Sequence, residues 1–300
     1  MNHSRRSFML SSLGIAAATA GGAAHGNPLQ GGNKGALPLS LAAGARMKLG
    51  TVTYNLAKDW DIATIIKNCE EAKFEGVELR TTHAHKVEVN LTKTQRADVR
   101  KRFADSKVEL MGLGSAFDYH TPDQAKLRKD IEATKEYIVM AQDVGATGVK
   151  VRPNALPKDV PVEKTLEQIG RSLREVGEFA AQHGQQIRVE VHGTGTSSLA
   201  HIKTMIDVAN HKQVGVCWNS NATDLDGEGF DHNFDLVKGK IFTVHMRDLY
   251  LEDYPFRRLF QKLNESGYKG YCLAEVPDSK DPLRVMKYYR ATWLAYQNLL

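Results

Sequence analysis

From Met47 onward, short runs of apolar and β-branched residues alternate with longer stretches whose apolar positions recur every three or four residues. The short runs are MKLGTVTY (47–54), GVELR (76–80), VELMGLG (108–114), GVKVRP (148–153), IRVEVHG (187–193), VGVCWN (214–219), IFTVHMR (241–247) and YCLAEV (271–276). Among the longer stretches are DIATIIKNCEEAKF (61–74), KLRKDIEATKEYIVMAQDV (126–144) and LEQIGRSLREVGEFAAQHG (166–184). The first kind has the length and composition of strands, the second the period of amphipathic helices. Strand starts recur every 27 to 40 residues, which is the length of one βα unit. Eight such units without a break predict an α/β fold, a (β/α)8 TIM barrel forming a single domain over residues 47–300. A doubly wound sheet is the structural alternative, although no strand here leads into a G-x-G-x-x-G phosphate loop.

Alternation inside the strands says which side chains point into the barrel, because successive residues of a strand face opposite ways. If Ile187, Val189 and Val191 lie under the helices, then Arg188, Glu190 and His192 face inward. The same parity sets Lys150 and Arg152 opposite Val149 and Val151, His245 and Arg247 opposite Val244 and Met246, Asn219 opposite Trp218, and Glu275 opposite Ala274. Barrel interiors normally fill with branched apolar residues, and unpartnered polar groups are costly to bury. Inward polar residues at the ends of five strands are therefore read as one site at the C-terminal mouth.

Within that set, Glu190, Asn219, His245 and Glu275 come from the ends of adjacent strands and supply two carboxylates, an amide oxygen and an imidazole. Such an N/O cage suits one divalent metal ion, Mn2+, Mg2+, Co2+ or Zn2+. Taken singly, each has a plainer reading: a glutamate salt-bridged to Arg188 or Arg247, a histidine hydrogen-bonded in the core. No HExxH or CxxC spacing is present. Arg80, Lys150, Arg152 and Arg247 would suit an anionic or heavily hydroxylated ligand, or else pair with Glu78, Glu190 and Asp248. His83 and His85 follow the second strand where a loop would cover the mouth. Tyr54, Asn55, Phe117, Asp118 and His120 would fall on the first and third loops, where a sugar-stacking wall would stand.

The motifs GVELR, VEVHG, GVCWNSN, VHMRD and LAEV resemble the xylose isomerase-like TIM-barrel superfamily, in particular its sugar phosphate isomerase/epimerase group. The resemblance implies a metal held by Glu190, position 219, His245 and Glu275, with Glu190 and Glu275 exchanging the proton alpha to a sugar carbonyl through an enediolate. It would make the protein a metal-dependent isomerase or epimerase of a free sugar or keto-sugar. His192 would act as second base or bind a hydroxyl, and Arg80, His83, Lys150, Arg152 and Arg247 would bind substrate. Asn219 departs from the family's usual aspartate. Its amide still offers an oxygen but no charge, so the metal is either more Lewis-acidic or lost. Asp224, five residues on, is too far to replace it unless the loop folds back. Two alternatives stay open: a lyase or hydrolase of 3-keto-glycosides on the same scaffold, and a sugar-binding barrel with a decayed metal site.

Before the barrel, residues 1–46 carry Arg5-Arg6 ahead of an Ala/Gly-rich apolar run without acidic residues. They are expected to be a twin-arginine signal peptide and flexible leader directing the protein to the periplasm. The run is shorter than the roughly 20 apolar residues a bilayer span needs, so no membrane span is expected in the mature protein. The net charge of +5 owes much to Arg5, Arg6, Lys34 and Arg46; without them 36 Lys and Arg face 35 Asp and Glu. That near-neutral balance argues against nucleic acid. Three scattered cysteines, Cys69, Cys217 and Cys272, point to packed thiols rather than a disulfide framework. The expected partners are a small-molecule carbohydrate and, during export, the twin-arginine translocase; a homo-oligomer is left open.

Overall fold

The computed structural model describes residues 47–299; the expected signal peptide lies outside them. Eight parallel strands close into a barrel in sequence order. They are β1 (Lys48–Val52), β2 (Gly76–Arg80), β3 (Glu109–Gly114), β4 (Gly148–Val151), β5 (Gln186–Glu190), β6 (Val214–Asn219), β7 (Ile241–Met246) and β8 (Tyr271–Ala274). Helices α1 (Ile62–Ala72), α2 (Lys93–Ala104), α3 (Gln124–Val144), α4 (Val162–Gln182), α5 (Leu199–Ala209), α6 (Phe230–Val237), α7 (Phe256–Glu265) and α8 (Pro282–Tyr296) follow the strands in turn. The predicted (β/α)8 barrel is the observed fold.

Local chemistry sets the boundaries. Asp61 accepts a hydrogen bond from the Thr64 amide at 2.8 Å and starts α1, while Asp123 does the same for Ala125 and Lys126 at the start of α3. Such caps satisfy amides that a helix's first turn leaves unpaired. α3 ends on Gly145 at φ 81°, a left-handed conformation that glycine enters without a steric penalty. α4 begins four residues before the predicted stretch, just after Pro161, whose ring is compatible with a helix start.

Several strands are shorter than the runs that announced them. Arg152, His192, Arg247 and Glu275 fall just past the ends of β4, β5, β7 and β8. Their neighbourhoods stay anchored: the Arg152 amide donates to Phe117 O at 2.8 Å, the Val191 amide to Cys217 O at 3.0 Å and the Glu275 amide to Met246 O at 2.9 Å. The chain leaves the ladder there while holding these residues at the rim.

The main core lies between strands and helices. Val149, Val151, Ile187, Val189, Val191, Val216 and Val244 are fully buried against residues such as Ile169, Leu173, Val176, Ile202 and Met205, each side chain contributing roughly 1.5–3 kcal/mol by leaving water. A second, smaller apolar cluster of Val52, Met111, Tyr271 and Leu273 falls inside the barrel, Met111 by the register shift between β2 and β3 and the others by strand alternation. The rest of the lumen is not apolar: Glu78, Lys150, Arg188, Glu190 and His245 are all buried.

Candidate active site

Glu190 ends β5, His245 is the penultimate residue of β7, and Glu275 follows β8 directly. The three side chains can each offer one ligand atom within 4.8 Å of the others. His245 Nδ1 stands 3.8 Å from Glu190 Oε1 and 3.5 Å from Glu275 Oε2. Neither ring nitrogen of this fully buried histidine makes a hydrogen bond. Two carboxylates and an imidazole held this close, with the imidazole nitrogen unsatisfied, are a donor set that fits a divalent cation. Asn219 lies beside His245 in the β6–β7 register and is the residue that would add an amide oxygen.

The other side of the imidazole is occupied by Glu78 of β2, whose Oε1 is 3.4 Å from His245 Nε2. Without a hydrogen bond between them, the Glu78 carboxylate acts on the ring through its charge, favouring a proton on Nε2. From the sequence, Glu78 reads only as a partner for cations. Its place in GVELR, on the parity of Arg80, was the signal that it faces inward. Room for it comes from β3: a Cβ on Gly114 would sit 2.8 Å from Glu78 Oε1, and one on Gly112 would sit 2.7 Å from Arg188 Nη1.

Glu190 pairs with Lys150, not with Arg188 or Arg247. Lys150 Nζ donates to Glu190 Oε2 at 2.5 Å, both groups being 3% exposed. Burial alone would raise the Glu190 carboxyl, but the Lys150 ammonium and His245 outweigh it and hold the group at about 2. Arg188 instead donates to Met111 O at 2.7 Å and Thr147 Oγ1 at 2.8 Å. Arg247 forms a fork with Asp253, two bonds of 3.2 Å, rather than pairing with Asp248.

Asp224 does not replace position 219. It lies in a single 3-10 turn (Ala222–Leu225), where its Oδ2 accepts from Tyr254 OH at 2.6 Å and from the Asn221 amide at 3.1 Å. Tyr254 OH in turn accepts from Trp218 Nε1 at 2.9 Å. Burial pushes the Asp224 carboxyl up to about 8 against these hydrogen bonds.

Rim residues divide into available and structural ones. His192 is half-buried with Nδ1 unpaired; burial lowers its pKa, the pull of Glu190 notwithstanding, and Arg152 and Lys150 add to the depression. Tyr54 stacks on His83 with ring centres 6.5 Å apart, and the Arg80 guanidinium lies 4.9 Å from the Tyr54 ring centre. His83 Nδ1 is 2.9 Å from Thr53 Oγ1, and burial, with the Arg80 and His85 charges, drives its pKa down to about 4. His85 is buried, with one nitrogen 2.8 Å from Arg80 O and the other accepting from the Val87 amide, so it braces the loop. Asp118 is taken up by His120 at 3.3 Å and Lys126 at 3.6 Å. The Asn55 amide donates to Val276 O at 3.1 Å, tying the β1 loop to the β8 loop.

The profile of the xylose isomerase-like TIM barrel family matches residues 66–294. No curated protein matches the chain by sequence. Among solved structures, the IolI protein with a bound zinc atom superposes with a TM-score of 0.71 at 16% identity, covering 83% of this chain and 98% of the other. The 3-keto-D-glucoside 4-epimerase YcjR from E. coli gives 0.69 at 16% identity, covering 84% and 100%. An L-ribulose 3-epimerase gives 0.71 at 15% identity, covering 84% and 95%. At these identities the likeness is one of fold.

Proposed function

The chain belongs to the xylose isomerase-like TIM barrel family, and on that premise we propose that it is a divalent-metal-dependent sugar isomerase or epimerase acting on a free sugar or keto-sugar. The observation that carries the reading is the buried, unsatisfied His245 Nδ1 facing both Glu190 and Glu275. Glu190, Asn219, His245 and Glu275 would hold the ion, with the Glu78 charge acting on the imidazole. When bound, it would supply Lewis acidity toward a substrate carbonyl or hydroxyl oxygen.

The chain's own residues supply the rest. Enolisation needs a base at the carbon alpha to a carbonyl and an acid to return the proton. Glu190 and Glu275 approach the same spot from different strands, so one removes the proton and the other returns it. Return to the opposite face of the same carbon epimerises; return at the neighbouring carbon isomerises. Glu275, the less buried of the two, at 22% side-chain exposure against 3%, is the better placed to meet substrate. His192, kept neutral, is placed to accept a proton or bind a hydroxyl, and Tyr54, His83 and Arg80 form a stacking wall for a sugar ring. The family's structural neighbours include a 3-keto-glucoside epimerase and an L-ribulose epimerase, which supports a neutral sugar or keto-sugar as substrate. Export by the twin-arginine route, read from the leader, is part of the proposal and favours unphosphorylated substrates.

The test is metal content by inductively coupled plasma mass spectrometry on protein purified without chelator or affinity metal, beside Glu275→Gln. With Mn2+ kept in the buffer until measurement, about one equivalent bound by the wild type and none by the variant is the expected result. Absence of the metal from both would sink the proposal.

A further inference from the structure

The cage that faces the ion carries two carboxylates, Glu190 and Glu275, one neutral amide, Asn219, and one imidazole, His245. One of those carboxylates is already engaged: Lys150 Nζ sits 2.5 Å from Glu190 Oε2 in a pair that solvent barely reaches. Glu78, on the far side of His245, has Arg188 beside it across the Gly112 gap. The lumen therefore holds its own counter-cations, and the charge left to attract a divalent ion is small.

We propose that Lys150 is the internal cation of this site, sharing Glu190 with the incoming metal and setting the metal affinity low, so that the ion is exchangeable rather than permanently held. This rests on the metal reading above and adds to it a residue that opposes the ion. The physical basis is direct. A fixed positive charge a few ångströms from a dication repels it, and in a buried site water does little to screen the repulsion. The ammonium also competes with the ion, and with any proton that Glu190 exchanges, for that carboxylate's two oxygens. Glu190 is the one carboxylate within ion-pair distance of Lys150 among the described residues. Burial of the ion pair makes Lys150 a positioning residue for Glu190 as well: in the metal-free protein it holds the carboxylate at the end of β5.

The experiment is isothermal titration of the metal-stripped full-length protein with MnCl2. Wild type, Lys150→Gln, Lys150→Met and Lys150→Arg are compared after circular dichroism has shown each to be folded. Gln keeps an N–H donor toward Glu190, Met keeps the volume alone, and Arg keeps the charge. Loss of the charge in either neutral variant is expected to tighten Mn2+ binding by about tenfold or more. Arg is expected to stay within about threefold of wild type. A merely structural role would weaken binding in all three variants alike, and that outcome overturns the inference. So does an unchanged dissociation constant in the neutral variants, which would leave the metal reading standing. Binding of Mn2+ by none of the four proteins would overturn both.

Discussion

Asn219 faces the cage without a charge, and Asp224 carries a carboxyl without facing the cage. The first stands beside His245 in the β6–β7 register; the second is closed into a chain of donors running from Trp218 through Tyr254. Spacing alone suggested that Asp224 could not reach back, and the observed turn explains why: its side chain caps the Asn221 amide instead. The partnering of the lumen charges was not legible in the same way. Strand parity says that Lys150, Arg188 and Glu190 share the interior, but which one reaches which depends on the stagger between strands. Arg188 is drawn to the Met111 carbonyl, leaving Glu190 to Lys150. Asp224 yields a residue-level prediction. Its folded-state pKa of about 8 lies above the ordinary 3.8, so between those values the unfolded chain has released a proton that the folded one keeps. The folded state is then progressively disfavoured as pH rises through that window, by at most about 1.4 kcal/mol per pH unit. Asp224→Asn, which keeps an acceptor for Tyr254, removes that slope. In urea unfolding from pH 4 to pH 8 the variant should gain on the wild type as pH rises; parallel curves would refute the assignment.

At the scale of elements, alternation along β5, β7 and β8 was enough to bring Glu190, His245 and Glu275 together, because their helix-side neighbours are all apolar and leave no doubt about which face is which. β3 carried no such signal. ELMGLG reads as a strand weakened by two glycines, and only the packed barrel shows that their missing side chains make space for Glu78 and Arg188. The register shift beside Glu78 in the β2–β3 pairing is likewise set by the closed barrel and invisible in either strand alone. Gly114→Ala should therefore be costly: the new methyl would meet Glu78 Oε1 at 2.8 Å, and overfilling a packed interior costs about 1–3 kcal/mol. Since the Glu78 charge acts on His245, Mn2+ affinity should fall with it. Gly239→Ala, where nothing lies within 4 Å, is the control and should stay within about 0.5 kcal/mol of wild type. Equal urea midpoints for the two variants would remove β3 from the account of the site.

For the whole molecule the question is what an ion at one end does to the stability of a closed barrel. All eight strands are joined edge to edge, so β5, β6, β7 and β8 cannot loosen without breaking the ring, and a ligand spanning them stabilises the entire domain. Binding to the folded state alone contributes about 2.7 kcal/mol when the ion is at a hundred times its dissociation constant. For a domain of this size that corresponds to a rise in melting temperature of roughly 5–10 °C. Saturating Mn2+ should produce such a rise, EDTA should reverse it, and Glu275→Gln should abolish it while unfolding at nearly the wild-type temperature without metal. A barrel that has kept its sugar-binding rim but lost its metal predicts a different pattern: no response to Mn2+ or EDTA, and stabilisation by sugar alone. Thermal scans of one preparation with each addition separate the two.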